Sequence, residues 1–552
     1  MQNPSFAMPP ANHHAMLAHF MSRTLANMPA PVAMTPARAQ EIRYRCKQCD
    51  GHIADLLELR AACDPLDPQN KAPEYNLKLM KAKAIRSLIY WQLFRINDLP
   101  TEILSLILRD VVWSGTVPEA GITNRLHITW VSKRWREVAI NDSTLWSAIW
   151  FRDQPPHERS FCWFDRAGKA TLDIRVAEPR GGQWTGPQME VFLDRVFVKL
   201  EQIRSLIVVV DNWPPALVVL DKIQDYSTRR TFGLLERFEL HRNGSPYVWI
   251  GAGYEPDRHR DPMRLFGGAI LPALKSITIN GVHIDWNRSP LSNLSRLDIR
   301  RIPLEMSPTL PRFREILQNC PNLIRLSLDG AGPVWSPTLA AAFPPVVLPS
   351  LRHLVIGDYS LQYAMYVATQ ISAPNIRELT LMNLVGEDYA PFFTLMTGAF
   401  PEVRLLTVQN VECVAVPASR AVMVKWLKSM PKMAFFRMAN LKINFLQLFL
   451  ADGEDPNSGI VRWEANTIIP PRQTIAPNLL YLEVYASDPA LVVSLVLARK
   501  AIGAPFRKVF VDHNLIAKFT PEQSKAVTAD GTPVFILPAP VQTIEEVELM
   551  AD

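Results

Sequence analysis

Three short groups of residues have types and spacings that could do chemistry. Cys46-x-x-Cys49, with His52 and Cys63 close behind, offers the thiolate and imidazole ligands that zinc takes. A zinc module of this type brings a second close ligand pair after a loop, and none follows. The same cysteines share a three- and four-residue apolar stripe with Ile42, Ile53, Leu56 and Leu57, so they are expected as buried helix positions. His259-Arg260-Asp261 copies three letters of a kinase catalytic loop, but Pro262 to Phe266 follow without its asparagine. No glycine-rich loop or D-F-G accompanies it. Lys133-Arg134-Trp135-Arg136 interleaves basic and aromatic residues, which on a helix marks a solvated face beside a buried one rather than a nucleic-acid contact. The chain also lacks a G-x-S-x-G elbow, a Walker-type phosphate loop and H-E-x-x-H. No catalytic, cofactor-binding or metal-binding residue is assigned, and an enzyme would need residues that converge only in the fold.

The elements around these groups are helical at first. Residues 1–38, rich in Met, Ala and Pro, read as a disordered tail. An amphipathic helix starts near Glu41, three prolines between Asp64 and Pro73 break it, and a second helix runs from about Tyr75 to Phe94, giving a helical hairpin over 39–94. Three short helices are predicted over 95–151. Asp98 caps the first, Pro100 sits in its opening turn, and Ile103, Leu104, Ile107, Leu108 and Val111 form its apolar stripe. Gly115 to Asn124 is predicted as a loop. Leu126 to Ile140 returns to helical period, and Leu145, Trp146, Ile149 and Trp150 form a last aromatic turn.

Beyond residue 152 the period changes to strand alternation, and one phrase, L-x-x-L-x-L, recurs. Its clearest copies begin at Leu274, Leu294, Leu323, Leu351, Ile376, Val403 and Leu479, with weaker ones at Ile203, Leu235, Met433 and Phe506. Copies between 274 and 433 lie roughly 20 to 30 residues apart, in or near the leucine-rich-repeat range. A proline commonly stands two positions ahead of the phrase, as at Pro272, Pro321, Pro349, Pro374, Pro401, Pro431 and Pro477. Proline cannot donate to a ladder, so it belongs before a strand. Intervening stretches such as 311–318, 361–371 and 421–430 would form the outer layer of an arc. An insertion is expected around Gly453 to Gly459, and residues 517–552 as a flexible tail. The predicted fold is therefore mixed α and β: a hairpin, a three-helix unit and an irregular leucine-rich-repeat-like solenoid over 152–516.

Leu99-Pro100-Thr101-Glu102-Ile103-Leu104, then Ile107 and Val111, then Val131-Ser132-Lys133-Arg134-Trp135-Arg136, and finally Leu145-Trp146 together resemble the F-box. The family pattern is an LP-x-E-I-L opening, an apolar helix, a Ser/Cys-Lys-x-Trp-Arg middle and a Leu-Trp close, and all four occur in order. The resemblance covers about a tenth of the chain, with a longer loop before Arg125 than compact members have. It implies a Skp-type adaptor as partner, and through it a cullin and RING ubiquitin ligase. By position, Leu99, Pro100, Ile103, Leu104, Ile107, Val111, Val131, Trp135, Leu145 and Trp146 would form or brace the adaptor-binding surface. Without the family name, a small helical unit with apolar residues on more than one face is still expected to complete its burial on a partner.

Composition bounds the rest. A length of 552 residues with 48% hydrophobic side chains exceeds one ordinary compact domain. A net charge of +6 does not imply nucleic acid, and no run of about 20 apolar residues implies a membrane span. Six scattered cysteines fit a reducing compartment, hence a cytoplasmic or nuclear address. The acid-free first 40 residues, with Arg23 and Arg38, keep a mitochondrial presequence open. The reading is a non-catalytic substrate receptor whose repeats bind a protein target. Candidate target contacts are strand positions between the apolar ones: Arg296, Asp298, Arg325, His353 and Glu378, with Ser276, Thr278, Ser327, Thr380 and Thr407. The alternative is a repeat-based scaffold with no ubiquitin role.

Overall fold

The structure is a computed structural model. It describes residues 35–63, 71–90, 92–93, 99–114, 118–179, 181–244, 262–412, 414, 416–451, 474–528 and 534–537. The Asp98 cap, the His259-Arg260-Asp261 triplet and the Gly453–Gly459 insertion lie outside these residues. The chain divides into two units, Met1–Leu145 and Trp146–Asp552. Among the described residues no helix is long and apolar enough to cross a membrane.

The first unit is helical. Helix α1 (Pro36–Ala61) starts five residues before Glu41, because the Thr35 hydroxyl accepts from Arg38 N and Pro36 occupies the first turn, where no amide partner is needed. Helix α2 (Ala72–Tyr90) begins three residues earlier than Tyr75. Cys46 is buried with Ile42 against Ile89, and Leu56 packs on Leu79 and Ala82. Arg86 grips the Asp50 carboxylate with two nitrogens at 2.9 and 3.3 Å. Cys46 is thus part of an apolar helix seam, and burial raises its thiol pKa.

Helices α3 (Thr101–Trp113), α4 (Pro118–Val131) and α5 (Lys133–Asn141) complete this unit. Two local expectations are corrected. Pro100 is the residue before α3, not inside its first turn. The loop expected over Gly115–Asn124 is mostly helix: Pro118 opens α4 at a position that suits proline. Gly121 continues the helix, where even a Cβ would make only an ordinary contact, 3.5 Å from the Val112 carbonyl. A helix-breaking composition was overridden by packing.

The second unit is a parallel solenoid. Among the described residues fourteen strands form one sheet in sequential order: β1 (Ala148–Phe151), β2 (Leu172–Val176), β3 (Ile203–Val210), β4 (Arg237–Arg242), β5 (Ser276–Asn280), β6 (Arg296–Arg300) and β7 (Arg325–Asp329); then β8 (His353–Gly357), β9 (Glu378–Leu384), β10 (Leu405–Val411), β11 (Phe435–Ala439), β12 (Tyr481–Tyr485), β13 (Lys508–Asp512) and β14 (Val534–Leu537). Every repeat phrase, weak or strong, lands on or immediately before one of these strands. β1, β2 and β14 have no such phrase. The aromatic turn expected at Leu145–Trp150 is a 3-10 turn over Ser143–Trp146 followed by β1, and the expected tail contributes helix Pro521–Thr528 and β14.

Register explains why the phrase repeats. Phe238, Ile277, Leu297, Leu326, Leu354, Leu379 and Leu406 align across adjacent strands, and Leu240, Ile279, Ile299, Leu328, Ile356, Leu381 and Val408 form a parallel row two residues on. All are essentially fully buried, against outer helices such as Leu310–Gln318, Leu361–Ala368 and Pro417–Lys428. Burying one such side chain contributes about 1.5–3 kcal/mol, so the repeated rows supply the main drive for stacking.

The chain leaves several strands through a left-handed residue at the same place in the repeat: Gly281, Gly330, Asp358, Asn383, Asn410 and Asn440. These are the types that tolerate positive φ. Asn440 donates to Asn410 at 3.1 Å and Asn410 to Asn383 at 3.2 Å, so the turns also bind one another. At Gly281 the approach excludes any Cβ, which would lie 2.4 Å from the Arg242 carbonyl.

Candidate protein-interaction surfaces

On α3 the apolar residues fall into two stripes with opposite fates. Leu104, Leu108 and Val112, spaced four apart, are sealed inside the unit. Ile103 and Val111 stay 44% and 39% exposed, and Ile107 between them is half-buried. Leu106 and Trp113 widen this outer stripe. Pro100 is exposed and Leu99 half-buried.

Polar contacts hold the three helices at fixed offsets. Asn124 Nδ2 donates to the Val111 carbonyl at 2.8 Å, and the Arg125 guanidinium lies 4.7 Å from the Trp113 ring centroid. At the other end Arg134 donates to the Leu99 carbonyl, and Arg136 Nε to the Thr129 carbonyl at 2.9 Å. These contacts bring the end of α4, where Trp130 and Val131 are 65% and 59% exposed, to the start of α3. Ser132 caps α5 by accepting from Trp135 N. Asp142, just past α5, accepts from Ser105, from Arg109 at 2.8 and 3.2 Å, and from Thr144. Burial opposes its charge, but these donors outweigh that cost and hold the carboxyl below its ordinary range.

Of the ten residues expected at this surface, Leu99, Pro100, Ile103, Ile107, Val111 and Val131 present area to solvent, and Trp135 is half-buried. Leu104, Leu145 and Trp146 are fully buried, which corrects Leu104's expected place on the surface and leaves Leu145 and Trp146 no exposed area to extend it. Leu104 faces inward because it lies one residue, about 100° around the helix, from Ile103. Trp146 lies in the second unit, with its ring 5.7 Å from Trp163 and Arg166 stacked 4.7 Å over it. Trp130 is among the most exposed large hydrophobic side chains. A helix apolar on two adjacent stripes is the signal that would have found Leu106 and Trp113.

The solenoid's second candidate surface is the strand face opposite the leucine rows. One register row runs Arg237, Ser276, Arg296, Arg325, His353, Glu378 across β4 to β9. The next row runs Glu239, Thr278, Asp298, Ser327, and the third His241, Asn280, Arg300, Asp329. Most carboxylates here are committed. Glu239 takes Arg237 at 2.6 Å and His241 at 3.0 Å, Asp298 takes Arg300 at 2.7 and 2.6 Å, and Glu378 takes His353 at 2.6 Å. Glu483, fully buried on β12, is held by Arg437 at 2.9 Å and by the Tyr485 hydroxyl. Arg296 is exposed and Arg325, His353 and Glu378 are half-buried, whereas Asp298 is buried beneath Arg300, which corrects its expected role as a direct target contact. Farther along, Leu405, Phe435, Tyr481 and Phe510 replace the charges with a buried apolar cluster.

Glu239 is the clearest pH reporter. Burial pushes its carboxyl up, yet the hydrogen bond from His241 and the charge of Arg237 hold it at about 2 against an ordinary 4.5. A depressed folded-state value means the stabilisation is complete above pH 4.5 and drains away as pH falls toward 2. Glu239→Gln is therefore expected to lower the repeat unit's denaturation midpoint near neutral pH. Titrating wild type and variant downward should bring the two midpoints together between pH 4.5 and 2. A constant difference across that window would remove this assignment.

Among the described residues no three His, Cys, Asp or Glu side chains gather as metal ligands do. No family model matches the chain, and no curated protein does. A solved structure similar to part of it is the leucine-rich repeat-containing protein LegL7 from Legionella pneumophila, 14% identical. The match covers 57% of this chain and 96% of that one, with a TM-score of 0.30. The repeat architecture accordingly rests on the strand register described above.

Proposed function

We propose that this chain is the substrate receptor of an SCF-type cullin-RING ubiquitin ligase. Helices α3–α5 act as an F-box-like unit that docks a Skp-type adaptor, and the solenoid's strand face holds a protein target. The observation carrying the reading is the outer stripe of α3. Ile103, Ile107 and Val111 stay open to solvent while the inner stripe is sealed, beside exposed Pro100 and Val131. Apolar anchors at helical spacing on one face of a helix suit insertion into a complementary groove. The chain performs no bond chemistry in this reading. It raises the effective concentration of a target lysine near a ligase-bound ubiquitin thioester.

The test is to mix purified full-length chain with a recombinant Skp-type adaptor and follow both by size-exclusion chromatography. Co-elution is expected for wild type, and its loss for the Leu99→Ala, Pro100→Ala double variant. An adaptor that elutes alone in both cases would leave a repeat-based interaction scaffold as the reading.

A further inference from the structure

Two arginines on the strand face stand opposite each other. Arg296 on β6 and Arg325 on β7 are direct register partners, so their backbones are about 4.8 Å apart. Like charges placed this way repel. Neither guanidinium has a hydrogen-bonded or ion-paired carboxylate among the described residues. The nearby acids already serve other groups: Asp298 is gripped by Arg300, Glu239 by Arg237 and His241, and Glu378 by His353. Arg237 extends the same row to β4, and between it and Arg296 the Ser276 hydroxyl is buried with no hydrogen-bond partner. Desolvation first, then Arg325 and Arg237, pushes the Arg296 guanidinium below its ordinary range, against a smaller opposing pull from Glu239 and Asp298.

We infer that this row, Arg237, Ser276, Arg296 and Arg325, is a binding site for a phosphate monoester carried on a side chain of a protein partner. Guanidinium forks match a tetrahedral oxyanion with paired N–H donors, and a dianion between two of them converts repulsion into attraction. The Ser276 hydroxyl would supply a further donor. The row crosses four strands on an open sheet face, roughly 14 Å, which suits an extended segment lying across it. His353, half-buried one strand beyond Arg325, continues the row and can contact residues flanking the phosphate. The inference rests on the solenoid being a target-binding face, and it is independent of adaptor docking, so the two tests fail separately.

The experiment presents full-length protein with an array of degenerate peptides centred on phosphoserine or phosphothreonine, alongside their unphosphorylated twins, at about 0.15 M salt. Expected is retention of the phosphorylated set at least about tenfold above the twins, as charge-assisted bidentate contacts imply. That preference should vanish in Arg296→Gln, Arg325→Gln, and persist in Lys432→Gln, which removes a surface charge paired elsewhere. The single variant Arg325→Gln should melt no lower than wild type, because it relieves repulsion. A purely structural role for the arginine would lower the melting point. Equal retention of both peptide sets, or an unchanged preference in the double variant, overturns the proposal. So does inorganic phosphate matching the phosphopeptides in affinity, which would make the site one for a small free anion.

Discussion

Ile103→Asp together with Ile107→Asp is expected to weaken adaptor capture by roughly 100-fold or more while leaving the melting of the repeat unit unchanged. Each isoleucine transferred from water into a partner's groove contributes about 1.5–3 kcal/mol, and 1.4 kcal/mol is tenfold in affinity. Losing two such anchors already approaches that factor, and burying two carboxylates without partners adds to it. The fold of α3 itself should survive. Its interior contacts come from Leu104, Leu108 and Val112, and its offset to α5 from the Asp142 cluster; the substitutions touch neither. Titration calorimetry with the adaptor reads the binding, and circular dichroism reads the helices. Affinity within threefold of wild type in a well-folded variant would show that the outer stripe is not the anchor.

The second large effect lies at the far end of the solenoid. Arg499, in helix Pro489–Ala501, is completely buried, and its guanidinium donates to three backbone carbonyls: Ile475 at 2.9 Å, Ala476 at 3.2 Å and Ala504 at 3.1 Å. Ala476 is itself held in the left-handed region at φ 48°, a conformation that costs an alanine free energy, so the arginine secures a strained turn just before β12. Burial pushes the Arg499 guanidinium down to about 10, still charged at neutral pH. Arg499→Ala removes all three bonds, leaves buried acceptors unsatisfied and opens a cavity beside Phe506, whose ring lies 5.6 Å away. Together these should destabilise the unit by about 3–5 kcal/mol. Arg499→Lys should recover part of this, since an ammonium cannot span three fixed acceptors as a planar fork does. A loss below about 1 kcal/mol in a urea titration would mean that the turn holds without it.

The solenoid was legible in sequence because its two buried rows are set by a short phrase whose period matches the strand pleat, and its starts are marked by proline. Arg499 was not legible. Two of its three acceptors come from residues more than twenty positions away, and no local spacing encodes that geometry. The three-helix unit was legible in type but not in orientation. Ile103 and Leu104 are neighbours of equal hydrophobicity, and only the placement of α4 and α5 decides which is sealed. The stretch after Trp146 misled for a related reason: Leu145, Trp146, Ile149 and Trp150 fit a helical turn, but Ile149 and Phe151 also fit a strand, and pairing of β1 with β2 selected the strand. The last strand escaped notice because Val534–Leu537 is short and flanked by turn residues, so its pairing with β13 carries the assignment.

Amide hydrogen exchange of the full-length chain, alone and mixed with a Skp-type adaptor, bears most directly on the docking face. Slowed exchange is predicted over 99–113 and 127–136, with strands β3 to β13 unchanged. No change in those two segments, or protection confined to the solenoid, would contradict the assignment of α3–α5 as the adaptor-binding unit.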